Sequence, residues 1–316
     1  MNSDYRYRRL SDADTLADLL PDYDLYLRAS GKSPNTVAVY TRAARELVAF
    51  LGDGVIPRKV THRHIQRYLA HLAERPNRFD PSKGLSPGYI NQQYRSLLAL
   101  FKWLTEIEEE IPVSPFLKVK APKIPDKLVP VIPDQEMRAL IRACEGTNFT
   151  ARRDMLIVRL LIDTGARRAE IVNLRLSDIE LNPNGMHVVG KGNRPRIIPF
   201  GTKTAQALRR YLRSRARHRL AETTDRLLLG TKGPMAITGL RSILNKRAEQ
   251  AGIPHVHPHR FRHTLASAWI ASGGSETDLM HLAGWKSREM LSRYGASAAA
   301  DRAREAHRRK ALGDRF

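Results

Sequence analysis

The sequence predicts a mainly α-helical protein of two domains, with a small antiparallel β-sheet in the second. The chain has 316 residues, which is more than one compact core usually holds. Apolar residues recur at helical spacing through both halves. In the second half, two short apolar strands flank a glycine-rich turn, which is typical of a β-hairpin.

The first half is expected to form a helical bundle. Ser33-Pro34 and Ser86-Pro87 each supply an N-cap followed by proline at the first helical position. Four helices are predicted, over residues 16–27, 34–51, 61–72 and 87–104. The aromatic residues of this half fall on the apolar faces, so we expect them in the core.

A proline-rich, basic segment separates the two halves. Its prolines are Pro112, Pro115, Pro122, Pro125, Pro130 and Pro133, and its lysines are Lys118, Lys120, Lys123 and Lys127. Each proline removes a backbone donor and disfavours helix in the preceding residue, so we expect an extended linker. The predicted organisation is therefore a first domain over residues 1–111, a linker over 112–133 and a second domain over 134–316.

The second half is predicted to be helical with one hairpin. The hairpin strands are Met186–Val189 and Arg196–Pro199, and Gly190-Lys191-Gly192 forms the turn between them. A further strand is expected over Arg226–Leu229. The chain should end in an Ala- and Arg-rich tail helix over residues 296–310, which either docks on a neighbouring protomer or stays solvated.

The charge balance indicates a polyanionic partner. There are 54 Lys and Arg against 32 Asp and Glu, a formal charge of +22, and the pI is about 10.5. This excess favours nucleic acid as the partner, although a basic surface that is merely solvated is the alternative. The single cysteine, Cys144, excludes an internal disulfide and a Cys-based zinc cluster. No stretch is apolar enough for a membrane span or a signal peptide, so we expect a cytoplasmic protein.

Several residues together could catalyse cleavage of a phosphodiester without a metal ion. Tyr294 is a candidate nucleophile, but a phenol with a pKa of about 10 needs help to ionise. Arg167 and Arg262 each offer a planar fork that fits two oxygens of one phosphate. Glu170 lies one helical turn after Arg167 and supports it. Lys191, at the hairpin tip, is the candidate to protonate a departing 5′ oxygen.

His259 and Arg262 are three residues apart after Pro258, so both should project from one face of a helix and meet the same phosphate. Trp285 precedes Tyr294 by nine residues and is either a core residue or an indole donor to the phosphate. Taken singly, each candidate also has an ordinary interpretation, such as a surface tyrosine, a helix-start ion pair or a turn lysine.

The histidines of this region also permit a zinc site. They are His255, His257, His259 and His263. The interleaved Arg260 and Arg262 and the lack of a local carboxylate argue against a bound cation. Neither a metal nor another cofactor is predicted.

The order and spacing of these residues resemble one family, the tyrosine recombinases, also called the phage integrase family, over almost the full chain. In that family the active site contains an Arg in a Thr-Gly-x-Arg turn, a Lys in a β-hairpin, a His-x-x-Arg pair, a His or Trp after Gly, and a Tyr nine residues later. The matching residues are Arg167, Lys191, His259, Arg262, Trp285 and Tyr294. The first half resembles the family's helical core-binding (SAM-like) domain, and the second half resembles its catalytic domain.

The resemblance implies a site-specific DNA recombinase that cleaves and rejoins strands through a 3′-phosphotyrosyl intermediate. Tyr294 would be the nucleophile, Lys191 the general acid, and the other matched residues would stabilise the transition state. The implied partners are double-stranded DNA with specific recombination sites and three further copies of the chain, which synapse two duplexes through a Holliday junction. Accessory DNA-bending proteins are further candidate partners, and the implied location is the nucleoid.

Two departures bear on the biological role. Trp285 stands where His is commoner, and Gly295-Ala296 follows Tyr294 in place of the Thr-His of Xer-type chromosome-dimer resolvases. The second departure favours integration or excision of a mobile element. The length predicts no additional arm-binding domain. The alternatives are an Xer-type resolvase, a type IB topoisomerase and a catalytically inactive DNA-binding regulator.

Overall fold

The computed structural model describes residues 14–78, 80–125, 130–190, 194–285, 304 and 307–311. The chain divides into two compact units, Met1–Asp126 and Lys127–Phe316. Both are mainly helical, and the second contains a small antiparallel sheet, so the predicted fold class is confirmed.

Four helices build the first unit. They are α1 (Leu20–Ala29), α2 (Pro34–Leu51), α3 (His62–Glu74) and α4 (Pro87–Glu106). The predicted caps form at two of them, because the Ser33 hydroxyl accepts a hydrogen bond from the Thr36 N–H and the Ser86 hydroxyl accepts one from the Tyr89 N–H, each at 3.2 Å. All four predicted helices are present, and α1 begins later than the sequence pattern suggests.

Aromatic side chains fill the core of the first unit. Tyr23, Tyr68, Phe101 and Trp103 are at most 1% exposed, and the rings of Tyr23 and Trp103 lie 5.1 Å apart. These four aromatic residues therefore pack between the helices, as predicted, whereas Phe50 is 37% exposed. Each buried ring contributes a large apolar area to the core.

A short ribbon in the first unit was not predicted. Strand β1 (Pro76–Asn77) pairs antiparallel with β2 (Asp80–Gly84) between α3 and α4. Its residues are mostly exposed and include proline, glycine and charged side chains, so they lack the apolar alternation that marks a strand in a sequence.

The proline-rich segment, predicted as an extended linker over residues 112–133, is not extended throughout. A 3-10 turn spans Pro115–Lys118, and Phe116 and Val119 are buried in the core of the first unit. Near the other end of the segment, Ile132 is buried in the core of the second unit. The apolar residues between the prolines are the reason, because burying them stabilises the fold more than a solvated linker would.

Seven helices and one three-stranded sheet form the described part of the second unit. The helices are α5 (Asp134–Ala143), α6 (Phe149–Thr164), α7 (Arg168–Asn173), α8 (Thr202–Ala216), α9 (Ile237–Gln250), α10 (Pro258–Ala271) and α11 (Glu276–Ala283). The strands, all antiparallel and in the order β3-β4-β5, are β3 (Ile179–Leu181), β4 (Asn184–Gly190) and β5 (Arg194–Pro199). Helix α6 is central, since it packs against α5, α8, α9 and α10.

The predicted hairpin forms, and the predicted strand over Arg226–Leu229 does not. In the hairpin, Met186 lies opposite Ile198 and both are buried. Residues 226–229 make only isolated bridges, at Arg226 and Leu229. The buried Arg215 explains this, because its Nε donates to the carbonyls of Arg226 and Leu227 and so uses acceptors that a neighbouring strand would need.

Most of the predicted tail helix lies outside the described residues. Residue 304 and residues 307–310 are helical. Among the helices in the described ranges, none has the length and apolar character to cross a membrane.

Candidate active site

The turn that presents Arg167 is built by Gly165. Helix α6 ends at Thr164, and Gly165 adopts the left-handed conformation with φ of 55°. A Cβ at Gly165 would also lie 2.8 Å from Cδ2 of Leu265 on α10, so a side chain here would both strain the backbone and force the leucine to shift. Arg167 is then the N-cap of α7, and its guanidinium leaves the turn at the surface of the unit.

Glu170 anchors Arg167 from within α7. Its carboxylate is buried and accepts four hydrogen bonds, two at each oxygen. Two come from the backbone N–H and Nη1 of Arg167, at 2.7 and 2.8 Å, and two come from Nη1 and Nη2 of Arg196, both at 3.0 Å. Four bonds fill the lone-pair sites of a carboxylate. Burial would raise the pKa of Glu170, but the hydrogen bonds from Arg196 and Arg167 outweigh it and hold the pKa below its ordinary value.

Arg196 belongs to this site, and the sequence analysis did not assign it. It projects from β5, and its side chain is 14% exposed. Besides binding Glu170, it donates from Nε to the carbonyl oxygen of Leu282 at 3.1 Å. An arginine directly before the Ile197-Ile198 pair of a hairpin strand looks like an ordinary surface residue, so only its spacing of two residues from the buried Ile198 could have signalled that it points inward.

Arg262 lies beneath the site on α10. Pro258 occupies the first turn of this helix, as predicted, and places His259 and Arg262 one turn apart. Arg262 is 4% exposed. Its Nη1 donates to the carbonyl oxygen of Gly165 at 3.0 Å, and its Nη2 donates to the carbonyl oxygen of Ala283.

His259 is exposed at the start of α10, beside the arginines. Partial desolvation and the nearby charges of Arg262, Arg168 and Arg167 lower its pKa below the ordinary value. A neutral imidazole can donate one hydrogen bond and accept another, so at neutral pH this ring can take part in proton transfer.

Three arginines hold the C-terminal end of α11. The carbonyl oxygens of the successive residues Leu282, Ala283 and Gly284 accept hydrogen bonds from Arg196, Arg262 and Arg167, respectively. Cations are stabilising at a helix C-terminus because its carbonyls carry partial negative charge. Since Arg262 and Arg167 bind adjacent carbonyls, their guanidiniums are neighbours, although they are distant in the sequence.

Trp285 follows this helix end directly and is 7% exposed. It packs with apolar residues of α10 and α11, and its ring lies 5.1 Å from Cζ of Arg262. At that distance a guanidinium is attracted to the face of the ring. The packing interpretation of Trp285 is thus supported, and a position beside Arg262 is compatible with a contact to bound phosphate as well.

Lys191 and Tyr294 lie outside the described residues. The strands β4 and β5 flank the lysine in the chain, and Gly190, which directly precedes it, lines a groove of about 600 Å³ together with Arg167 and Glu170. Trp285 is the last described residue before the segment that contains the tyrosine. The described part of the chain holds no group of three or more His, Cys, Asp or Glu side chains arranged to bind a metal ion.

The described candidates thus converge on one surface of the second unit. Arg167, Arg262 and His259 are brought together from α6–α7 and α10, with Trp285 against Arg262. Two guanidiniums and an imidazole are donors that suit the non-bridging oxygens of a phosphate and the charge that builds on them in a displacement.

Comparison with known proteins gives the family that the sequence motifs resemble. Residues 130–301 match the phage integrase family, and residues 19–111 match the N-terminal SAM-like domain of phage integrases. The chain is 34% identical over 236 residues to tyrosine recombinase XerC of Staphylococcus epidermidis, covering 74% of this chain and 76% of that protein. It is 32% identical over 221 residues to XerC of Staphylococcus carnosus, covering 67% and 72%.

Solved structures share the fold. The integrase of transposon Tn1549, in complex with transposon right end DNA, matches with a TM-score of 0.72 and 22% identity over 94% of this chain and 100% of that one. A lambda integrase dimer bound to a COC′ core site matches with a TM-score of 0.68 and 18% identity over 89% and 95%.

The chain belongs to the phage integrase family, the tyrosine recombinases. It is a DNA strand-transferring enzyme of site-specific recombination, as the sequence predicts.

Proposed function

We propose that Tyr294 attacks a phosphate of the DNA backbone. The phenolic oxygen bonds to phosphorus, the bond from phosphorus to the 5′ oxygen breaks, and the products are a 3′-phosphotyrosyl link and a free 5′ hydroxyl. The observation that carries this proposal is the pair Arg167 and Arg262, which bind adjacent carbonyls at the helix end that leads, through Trp285, to Tyr294.

The roles of the other residues follow from their chemistry. Arg167 and Arg262 offset the negative charge on the non-bridging oxygens of the phosphorane-like transition state. His259 and Trp285 complete this donor set, and the neutral imidazole of His259 is able to accept a proton as the phenol ionises. Lys191 gives a proton to the departing 5′ oxygen.

The covalent link conserves the bond energy. A 5′ hydroxyl from a second strand attacks phosphorus, the bond to Tyr294 breaks, and the phenol regains its proton. The exchange therefore requires neither ATP nor a metal ion.

We infer that the first unit is the core-binding domain and the second the catalytic domain, and that both contact duplex DNA carrying a specific recombination site. The +22 charge supports such contact and predicts an affinity that falls steeply with salt. The working assembly would be a homotetramer on two duplexes, with accessory DNA-bending proteins as further candidates and the nucleoid within the cytoplasm as its place.

Two biological roles remain as proposals. Gly295-Ala296 after the tyrosine favours integration or excision of a mobile element. The relatives named XerC favour Xer-type chromosome-dimer resolution. The position of the sites in the genome separates the two roles, since sites at the ends of a mobile element fit integration or excision and a chromosomal site outside any such element fits dimer resolution.

The test is covalent trapping. Purified protein is incubated with nicked suicide duplexes made from genomic DNA of the organism that carries the gene, and adducts are isolated and their 5′ ends mapped. We expect adducts at one sequence, abolished by Tyr294→Phe and unchanged by the control Tyr26→Phe, which removes a hydroxyl from α1 of the first unit.

Each alternative gives its own result. A type IB topoisomerase would form adducts at many sequences and relax plasmids that lack the mapped site. A DNA-binding regulator would bind one sequence without an adduct. Absence of any adduct on the bound sequence would refute the catalytic proposal.

A further inference from the structure

Each of the three guanidinium nitrogens of Arg196 donates a hydrogen bond to another residue of the second unit. Nε binds the carbonyl of Leu282, and Nη1 and Nη2 each bind one oxygen of Glu170. The side chain is 14% exposed, whereas that of Arg167 is 32% exposed. Arg196 is thus committed to contacts within the protein.

The contacts of Arg196 connect two parts of the site. On one side is Glu170, whose other two hydrogen bonds fix the backbone and guanidinium of Arg167. On the other side is the last turn of α11, which leads to Trp285 and the segment that contains Tyr294. No other described residue hydrogen-bonds both Glu170 and the α11 end, except Arg167 itself.

Gly284 shows how closely the helix end lies on this guanidinium. A Cβ at Gly284 would be 3.1 Å from Cζ and 3.2 Å from Nε and Nη1 of Arg196. The residue also has a φ of 62° in the left-handed cap of α11. The chain therefore leaves α11 pressed against Arg196, in a turn that a side chain would disturb.

We propose that Arg196 is a positioning residue for strand cleavage, which holds Arg167 and the C-terminal end of α11 in fixed positions relative to each other through Glu170 and the carbonyl of Leu282. The proposal rests on the proposed function of Tyr294. Arg196 does not contact the phosphate; it acts through the residues that do.

The geometry of the guanidinium is required for this role. A lysine at position 196 keeps the positive charge, but its ammonium is a single point and cannot span both oxygens of Glu170 and the Leu282 carbonyl together. A methionine keeps most of the apolar stem and, among the described residues, leaves Arg167 as the remaining guanidinium partner of the buried carboxylate. Misplacement of a reacting group by about 1 Å is enough to slow a reaction roughly a hundredfold.

Arg247 offers a matched control in the same unit. Its side chain is 12% exposed, and it likewise bridges a buried carboxylate, Asp154, at 2.8 Å and a backbone carbonyl, that of Ala143, at 2.7 Å. Neither partner belongs to the candidate site. Arg247→Met therefore reproduces the structural loss without the proposed loss of positioning.

The experiment compares wild type, Arg196→Met, Arg196→Lys and Arg247→Met on the suicide duplex that traps the wild type. The measurements are the single-turnover cleavage rate at saturating protein, the affinity for the duplex and the Tm. We expect Arg196→Met to slow cleavage about a hundredfold and Arg196→Lys about tenfold or more, with affinity within about threefold of wild type. Arg247→Met should lower the Tm as Arg196→Met does and cleave at the wild-type rate.

A pH profile gives a second measurement that a purely structural role would not change. Without Arg196 the carboxyl of Glu170 loses the partner that chiefly lowers its pKa, so it takes up a proton at higher pH than in the wild type. As the pH is lowered, the cleavage rate of Arg196→Met should therefore begin to fall at a higher pH than the cleavage rate of the wild type. Adding Glu170→Gln, which does not titrate, should remove that extra decline, while the titration of His259 is common to all the variants.

The outcomes are distinct. If Arg196→Met and Arg196→Lys cleave at the rate of Arg247→Met, or if their slowing is matched by lost affinity, the positioning role is wrong while the proposed function stands. If Arg196→Met does not fold, Arg196→Lys decides. If wild type forms no adduct with its bound sequence, it is the proposed function that fails.

Discussion

Arg262, from α10, donates a hydrogen bond to the carbonyl oxygen of Gly165 at 3.0 Å. The bond joins the helix that carries His259 to the turn that presents Arg167. Both residues are buried, so water does not compete for the bond. Gly165 is therefore the point at which two segments of the candidate site meet.

Gly165→Ala should destabilise the second unit and slow cleavage. The left-handed conformation costs a side chain about 1–2 kcal/mol, and the Leu265 side chain would have to shift as well, which adds to the loss. Gly252→Ala is the control, because Gly252 has a φ of 65° but nothing within 4 Å of an added Cβ. Urea denaturation should show the larger loss for Gly165, and equal losses would contradict the packing described for this turn.

Trp285→Phe should separate packing from phosphate contact. Phenylalanine keeps an aromatic face toward Arg262 and apolar contact with α10 and α11, but it lacks the indole N–H. We expect cleavage to slow by about tenfold or more, while the cavity left by the smaller ring lowers the Tm moderately. Trp285→His, which retains an N–H and loses apolar area, should keep more activity despite a lower Tm. If Trp285→Phe cleaves at the wild-type rate, the indole N–H does not contribute to cleavage and the role of Trp285 is packing.

His263 should make the unfolding free energy depend on pH. Burial and the nearby charges of His259 and Arg262 lower the pKa of His263 from 6.5 to about 4. Below pH 6.5 the unfolded chain binds a proton that the folded chain does not, so stability falls as the pH drops toward about 4. Because the ring is partly exposed, we expect a loss of about 1–2 kcal/mol.

The measurement is denaturation of wild type and His263→Gln across this pH range. As the pH falls from 6.5 toward about 4, the unfolding free energy of the wild type should decrease relative to that of His263→Gln, since glutamine does not titrate. A difference that stays constant would show that His263 titrates alike in the folded and unfolded states. An NMR titration of its ring protons gives the folded pKa directly.

Cys144 should be inert in the folded protein. It is 1% exposed, and burial raises its pKa to about 12. An increase of about three units reduces the thiolate fraction roughly a thousandfold, and the thiolate is the reactive form. A chromogenic disulfide reagent should therefore react slowly with native protein and quickly in guanidinium chloride, with Cys144→Ser as the blank. Rapid reaction of the native thiol would contradict its burial.

The residues that could be predicted from the sequence have local signals. Gly165 before Arg167, Pro258 before His259 and the glycines of the hairpin each announce a turn or helix start within a few residues. The family pattern then links these turns across the chain. Arg196 carries no such signal, because its acceptors on Glu170 and Leu282 lie 26 and 86 residues away.

The strand expected at Arg226–Leu229 illustrates a different limit. An apolar run bounded by turn residues is compatible with a strand, but whether a strand forms depends on which groups donate hydrogen bonds to its backbone carbonyls. Here the side chain of Arg215 takes two of them. A sequence pattern does not reveal a competitor of this kind, since Arg215 lies on α8, 11 and 12 residues before the carbonyls that it binds.

Phe116 and Val119, described above as core residues of the first unit, determine where the polypeptide can be shortened. The Tyr94 hydroxyl donates to the Val119 carbonyl at 2.9 Å, and the Asn91 side chain donates to the Pro122 carbonyl at 2.8 Å. A fragment ending at residue 111 would lack these acceptors and expose the apolar surface beneath Phe116. An independently soluble first unit should therefore extend at least through Pro122.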